Sequence, residues 1–232
     1  MLPAAHLIAF DADDTLWSTQ PHFDQVEARL LEIMAHCGEP AHLTEQLNAV
    51  QRRNMQLFGY GAKAFMLSMI ETAIQLTDGA VTGHDVQQII DLGKDLLRYP
   101  IEPLPGVVEV LTELRRRGHR LMVLTKGDLL DQESKLARSG LGDFFDHVEI
   151  VSKKDEATYQ RLLSRHAATA ETFVMIGNSL KSDIIPVARL GFRAVHVPYH
   201  ANWIFERVEP EQLAGLDFHT VQDVRGVLAY LP

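Results

Sequence analysis

Two rhythms of apolar residues divide the chain. From about Gln20 to Arg98 they recur every three or four positions, as in "FDQVEARLLEIMAHCG" (23–38) and "AFMLSMIETAIQL" (64–76). That is the spacing of helices that bury one face. No stretch in this block reads as a strand, and "GYG" (59–61) and "TDGAVTG" (77–83) read as inter-helix turns. After "YPIEPLPG" (99–106), whose three prolines mark a boundary, the pattern alternates. Helices are predicted over 107–118, closed by Gly118, over 128–140, closed by Gly140, over 155–166 behind an acidic cap, and over 181–191. Between them lie short apolar runs: "HRLMVL" (119–124), "HVEIV" (147–151), "TFVMIG" (172–177) and "FRAVHV" (192–197). A further run, "LIAF" (7–10), precedes the helical block.

Apolar strands alternating with helices predict a parallel sheet covered on both faces. The first strand meets no such helix before the helical block. The simplest organisation is therefore one α/β domain made of residues 1–16 and 101–232, Rossmann-like in its parallel sheet, with an all-helical insertion over 17–100. In open sheets of this kind ligands sit at the carboxyl ends of the strands.

The strand ends carry the candidate chemistry. "LIAF" runs into Asp11, Asp13 and Asp14, three carboxylates within four positions of a buried segment. Crowded acids repel one another and lose solvation, so a metal ion, a surface turn or a catalytic task must compensate. "LMVL" ends in Thr125 and Lys126, "VEIV" in Ser152, Lys153 and Lys154, and "FVMIG" in Asn178, Ser179 and, five positions after Asn178, Asp183. Acids, a hydroxyl and a lysine converging on one sheet edge suit phosphoryl transfer through an aspartyl-phosphate. A carboxylate nucleophile needs Mg²⁺ and a nearby cation, or it repels the phosphate it attacks. A second carboxylate two residues on can protonate the leaving oxygen and later deprotonate water.

"DADDT", a strand-final Thr, a Lys before a helix and "GNSLKSD", in that order, resemble the haloacid dehalogenase superfamily of hydrolases, over nearly the whole chain. The helical block falls where many members carry an α-helical cap. The resemblance implies Asp11 as nucleophile and Asp13 as general acid/base, with Thr125 and a lysine holding the phosphoryl group. It also implies Mg²⁺ bound by Asp11, the Asp13 carbonyl and the last motif, Asn178 and Asp183. Of the two lysines, Lys154 is preferred, because it directly precedes the predicted cap Asp155 and resembles the lysine that relatives use at this place. Two departures stand out: Asn178 occupies a position more often Asp, and Asp14 a slot frequently Gly. Asp14 is expected to be a solvated turn residue, and Thr15 to orient the loop.

The implied function is a Mg²⁺-dependent phosphatase of small phosphorylated metabolites. A 2-haloacid dehalogenase is the nearest rival, but a halide leaving group needs no acid and its displacement no metal, so Asp13 and Asp183 argue against it. A phospho-accepting signalling or binding module leaves the helical insertion without a purpose. "GYGAKA" (59–64) mimics a dinucleotide fingerprint but follows no strand; it is expected as an inter-helix turn, with Tyr60 and Lys63 as candidate substrate contacts. Lys126 is a further candidate contact.

Composition narrows the setting. With 46% hydrophobic and 23% charged residues the chain is of ordinary globular type. A net charge of −9 over 232 residues disfavours nucleic acid and anionic membranes. Cys37 is the only cysteine, so no intrachain disulfide or cysteine metal cluster is possible, and the eleven histidines show no zinc spacing. With no long apolar run, a reducing cytoplasm is the expected location.

Overall fold

The computed structural model describes residues 6–231. They divide into two compact units, one of residues 6–20, 101–126 and 133–231, the other of residues 21–100 and 127–132.

The first unit is an α/β layer structure. Strands β1 (Leu7–Phe10), β2 (Arg120–Lys126), β3 (His147–Val151), β4 (Phe173–Gly177), β5 (Arg193–His196) and β6 (His219–Thr220) form one sheet in the order β3-β2-β1-β4-β5-β6. Every pairing is parallel, with Phe10 opposite Val123 on one side and Ile176 on the other. The central strands read as unbroken apolar runs because both faces are covered. On one face Leu7, Ala9, Met122, Leu124, Phe173 and Met175 pack with Tyr159, Leu162 and Leu163 of α7 (Glu156–Arg165). The alternate residues Ile8, Phe10, Leu121 and Val123 are equally buried, and helix Val107–Arg116, α5 in chain order, lies against β2 with Val110, Leu111 and Leu114 buried. Gly118 and Gly140, in left-handed conformations, follow α5 and α6 (Leu129–Ser139), as the sequence predicts. Asp155 caps α7 by accepting from the Thr158 amide at 2.9 Å.

One helix departs from its pattern. The segment 181–191 yields only a short α8 (Ile185–Arg189), entered through a wide π-type turn at Leu180–Ile184. Pro186 is the cause: its ring would clash with the carbonyl of Ser182 in a continuous helix. That carbonyl instead accepts a bond from the buried Tyr159 hydroxyl at 3.0 Å. The two-residue β6 was not foreseen; it is too short to carry a period.

The second unit is all helical: α1 (Gln20–Ile33), α2 (Pro40–Phe58), α3 (Ala62–Leu76) and α4 (Gly83–Arg98). Its core repeats at helical spacing, with Val26, Leu30 and Met34, then Leu43 and Leu47, then Phe65, Met69 and Ala73, and finally Ile89 and Leu96. Among the described residues no helix is long and apolar enough to cross a membrane.

Candidate active site

The strand order places the site. From β1 the sheet grows towards β2 and β3 on one side and towards β4, β5 and β6 on the other. In open parallel sheets ligands bind outside the carboxyl ends of the strands, at the point where that direction reverses. The residues there are Asp11, whose amide bonds the Ile176 carbonyl at 2.8 Å, and Asn178, which follows β4. Thr15 ties the two loops together, accepting from the Asn178 amide at 3.0 Å and donating to Asn178 Oδ1 at 3.2 Å.

Lys154 lies between two carboxylates. Its Nζ is 2.5 Å from Asp11 Oδ1 and 2.7 Å from Asp183 Oδ1, and all three side chains are buried. Burial pushes the Asp11 carboxyl up, the Asp183 charge pushes it further, and Lys154 pulls against both. Burial alone would drive the Lys154 ammonium down, but Asp11 and Asp183 outweigh it and hold it above the usual lysine range. Asp183 is fixed from its other oxygen, which accepts the Ser179 amide at 3.0 Å. Only glycine fits at position 177, since a Cβ there would overlap the Asp183 carboxylate. Lys153, one residue away, is exposed.

Asp13 is held differently. Its Oδ1 accepts from Thr19 Oγ1 at 2.7 Å, Trp17 Nε1 at 2.9 Å and Lys135 Nζ at 3.1 Å. The expectation that Asp14 is a solvated turn residue is overturned. Asp14 is buried, and its carboxylate accepts from the amides of Thr19 and Gln20, the entry to α1, at 2.7 and 3.0 Å. Burial pushes its carboxyl up to about 7, with those amides working against the rise. Its φ of 62° also explains why a slot frequently Gly accepts this residue: Asp tolerates the left-handed region better than most side chains.

Thr125 is buried at the end of β2. The Lys126 ammonium bonds Ser182 Oγ at 2.9 Å and pairs with Glu206, which also accepts from the hydroxyls of Ser179 and Ser182. That pairing is electrostatic, since Lys126 and the two hydroxyls hold the Glu206 carboxyl low against its burial. Neither Glu206 nor Lys135 is marked by any motif. In the helical unit Tyr60 is half-buried in the link from α2 to α3 and Lys63 in the first turn of α3, where it pairs with Asp128 at 2.9 Å. "GYGAKA" follows a helix, as its turn reading requires. Tyr199 donates to Ser18 Oγ at 2.8 Å, and Trp203 packs edge-on against Phe205.

Comparison with known proteins gives one family. A model described as haloacid dehalogenase-like hydrolase matches residues 5–191. A phosphoglycolate phosphatase of Caulobacter vibrioides is 31% identical over 228 residues, 94% of this chain and 88% of the relative. A glyceraldehyde 3-phosphate phosphatase of Methanothermobacter thermautotrophicus is 25% identical over 230 residues, 94% of this chain and 95% of the relative. The crystal structure of a haloacid dehalogenase-like family hydrolase from Xanthomonas campestris superposes with a TM-score of 0.86 at 39% identity, covering 98% of this chain and 91% of the other.

Proposed function

Since the chain belongs to the haloacid dehalogenase-like hydrolases, we propose that it hydrolyses small phosphate monoesters, with Asp11 as the nucleophile. The observation that carries this reading is the Asp11–Lys154–Asp183 cluster at the carboxyl ends of the strands, with a second carboxylate, Asp13, two residues from the first. Asp11 must be anionic to attack phosphorus, and Lys154 opposes the burial that would protonate it. The same ammonium, with the Thr125 hydroxyl, meets the negative charge of the transferring phosphoryl group. Asp13 protonates the departing alcohol, then takes a proton from the water that cleaves the aspartyl-phosphate. A carbon–halogen displacement would leave Asp13 without work.

The donor set fits Mg²⁺. Asp11, Asp183, the Asn178 amide oxygen and the Asp13 carbonyl are hard oxygen ligands. Two buried carboxylates against one ammonium leave negative charge for a cation to neutralise. When bound, Mg²⁺ would supply charge neutralisation and polarisation of the phosphoryl oxygens. Among the described residues no group of three or more His, Cys, Asp or Glu is placed to hold a metal, so the site would rely on two carboxylates and neutral oxygens. Asn178→Asp adds a third charge and should tighten Mg²⁺ binding about tenfold, or ~1.4 kcal/mol. Asp183→Asn should weaken it by at least as much. Calorimetric titration with MgCl₂ above neutral pH reads both. Unchanged affinities would place these residues away from the metal.

The relatives' names favour short phosphorylated acids and aldehydes as substrates. We assign leaving-group selection to the helical unit, where Tyr60 and Lys63 lie. A panel of phosphoglycolate, glyceraldehyde 3-phosphate, phosphoserine and 4-nitrophenyl phosphate, with 2-chloropropionate beside them, tests the reading. Phosphate release without halide release is expected. Halide release alone would transfer the chain to the dehalogenases.

A further inference from the structure

We propose that Glu206 is a specificity-determining residue: by holding the charge of Lys126, it turns the site against phosphate monoesters whose leaving group carries a carboxylate. The inference rests on the phosphatase reading above and narrows its substrate class to uncharged leaving groups. It adds a determinant on the sheet unit to the one assigned to the helical unit.

Lys126 stands near the reacting centre. Phe10 is in register with Val123, so Asp11, one residue on, falls level with Leu124 and two residues short of Lys126. Asp11 continues the alternation of Leu7 and Ala9, and Lys126 that of Met122 and Leu124, all of which pack on the α7 face. With neighbouring strands ~4.8 Å apart and a rise of ~3.3 Å per residue, the two Cα atoms are about 8 Å from each other. An ammonium at that range attracts a second anionic group on an ester held at Asp11.

Glu206 cancels that attraction. One carboxylate oxygen pairs with the Lys126 ammonium, and the other accepts from Ser179 Oγ and, at 2.6 Å, from Ser182 Oγ. Lys126 also donates to Ser182 Oγ at 2.9 Å, which closes the network. Lys181 fixes the neighbouring residue of the 3₁₀ turn Ile204–Glu206, donating to the Phe205 carbonyl at 2.7 Å. The counter-ion is therefore held in place rather than free to swing aside for a substrate. It also belongs to the surroundings of the nucleophile. The Tyr159 hydroxyl is pushed up by burial and then by the charges of Asp183, Asp11 and Glu206, so the three acids act on one point. Lys135 and Lys154 face carboxylates as well, Asp13 for the first, Asp11 and Asp183 for the second. A carboxylate on the leaving group meets cations already paired.

The test compares kcat/KM for 3-phosphoglycerate and glyceraldehyde 3-phosphate, which differ only in a carboxylate against an aldehyde. The parent should favour the aldehyde. Glu206→Gln keeps the shape and leaves Lys126 its charge, so it should raise the acid-to-aldehyde ratio about tenfold. Lys126→Met leaves Glu206 its charge and should lower that ratio. Either variant decides alone if the other does not fold. A pair that only holds the turn would change both esters equally. A parent that favours the acid, or a ratio that a folded variant leaves unmoved or moves the other way, would overturn the proposal. Turnover of 4-nitrophenyl phosphate by the parent separates the two levels. If it is hydrolysed while the ratio stays fixed, only the role of Glu206 fails. If neither it nor the two natural esters are hydrolysed, the phosphatase reading fails and the proposal falls with it.

Discussion

Asp11→Asn should abolish turnover of every phosphate monoester, lowering kcat by about four orders of magnitude or more, ~5.5 kcal/mol of transition-state stabilisation. An amide oxygen is a poor nucleophile, and no other carboxylate takes its place: Asp183 is wholly buried and bonded to Lys154 and the Ser179 amide, and Asp13 is clamped by three donors. The fold should survive the change. Asn is isosteric, Lys154 keeps its bond to Asp183 at 2.7 Å, and a buried charge that repels Asp183 is removed. Kinetics with 4-nitrophenyl phosphate and a thermal melt, measured together, check both halves. Turnover within a few fold of the parent, with an intact melt, would remove Asp11 from the chemistry.

Lys154→Met should be nearly as damaging, and in two ways. Removing a charged donor aimed at a transferring group costs ~10²–10³ in rate. Removing one member of a buried ion cluster also destabilises the fold by ~3–5 kcal/mol, because Asp11 and Asp183 are left facing each other. The second effect has a pH sign. An acid whose folded pKa is raised binds more protons in the folded state, so its contribution is full below the unfolded value and is lost as pH rises through the folded one. Asp11 is already raised, and loses its restraining cation in this variant. The stability deficit of Lys154→Met should therefore grow as pH rises above the ordinary carboxylate range, as thermal melts across pH will read. Lys153→Ala, at an exposed neighbour, should change turnover by less than about twofold. Equal effects at the two lysines would mean that the amine at the site has been misassigned.

The parallel sheet was legible because its central strands are buried on both faces, so "LIAF", "LMVL" and "FVMIG" stand out as apolar runs that end abruptly in polar residues. The helical insertion was legible from its period. What escaped was non-local or conformational. Nothing in "DADDT" announces that the third acid turns inward to cap a helix, since its positive φ and burial come from the packed loop. Glu206 lies 80 positions from the lysine it pairs with, in a 3₁₀ turn without periodicity. Lys135 sits on a helix that buries Asp131, Gln132 and Ser139 with it beside a single apolar residue, Leu136, so the hydrophobic pattern gave no warning. The shortened α8 was foreseeable from Pro186, but the rescue of the Ser182 carbonyl by Tyr159 was not.

The central claim is that a phosphoryl group resides on Asp11 during turnover. Asp13→Asn should slow release from that state by removing the base for water. Incubation of this variant with 4-nitrophenyl phosphate, acid quench, borohydride reduction and peptide mass spectrometry would convert an aspartyl-phosphate to homoserine at its own position. The account predicts homoserine at residue 11, dependent on substrate and absent from the Asp11→Asn, Asp13→Asn double variant. Substrate-dependent homoserine at another acid, or turnover of the variant with none at residue 11, would contradict it.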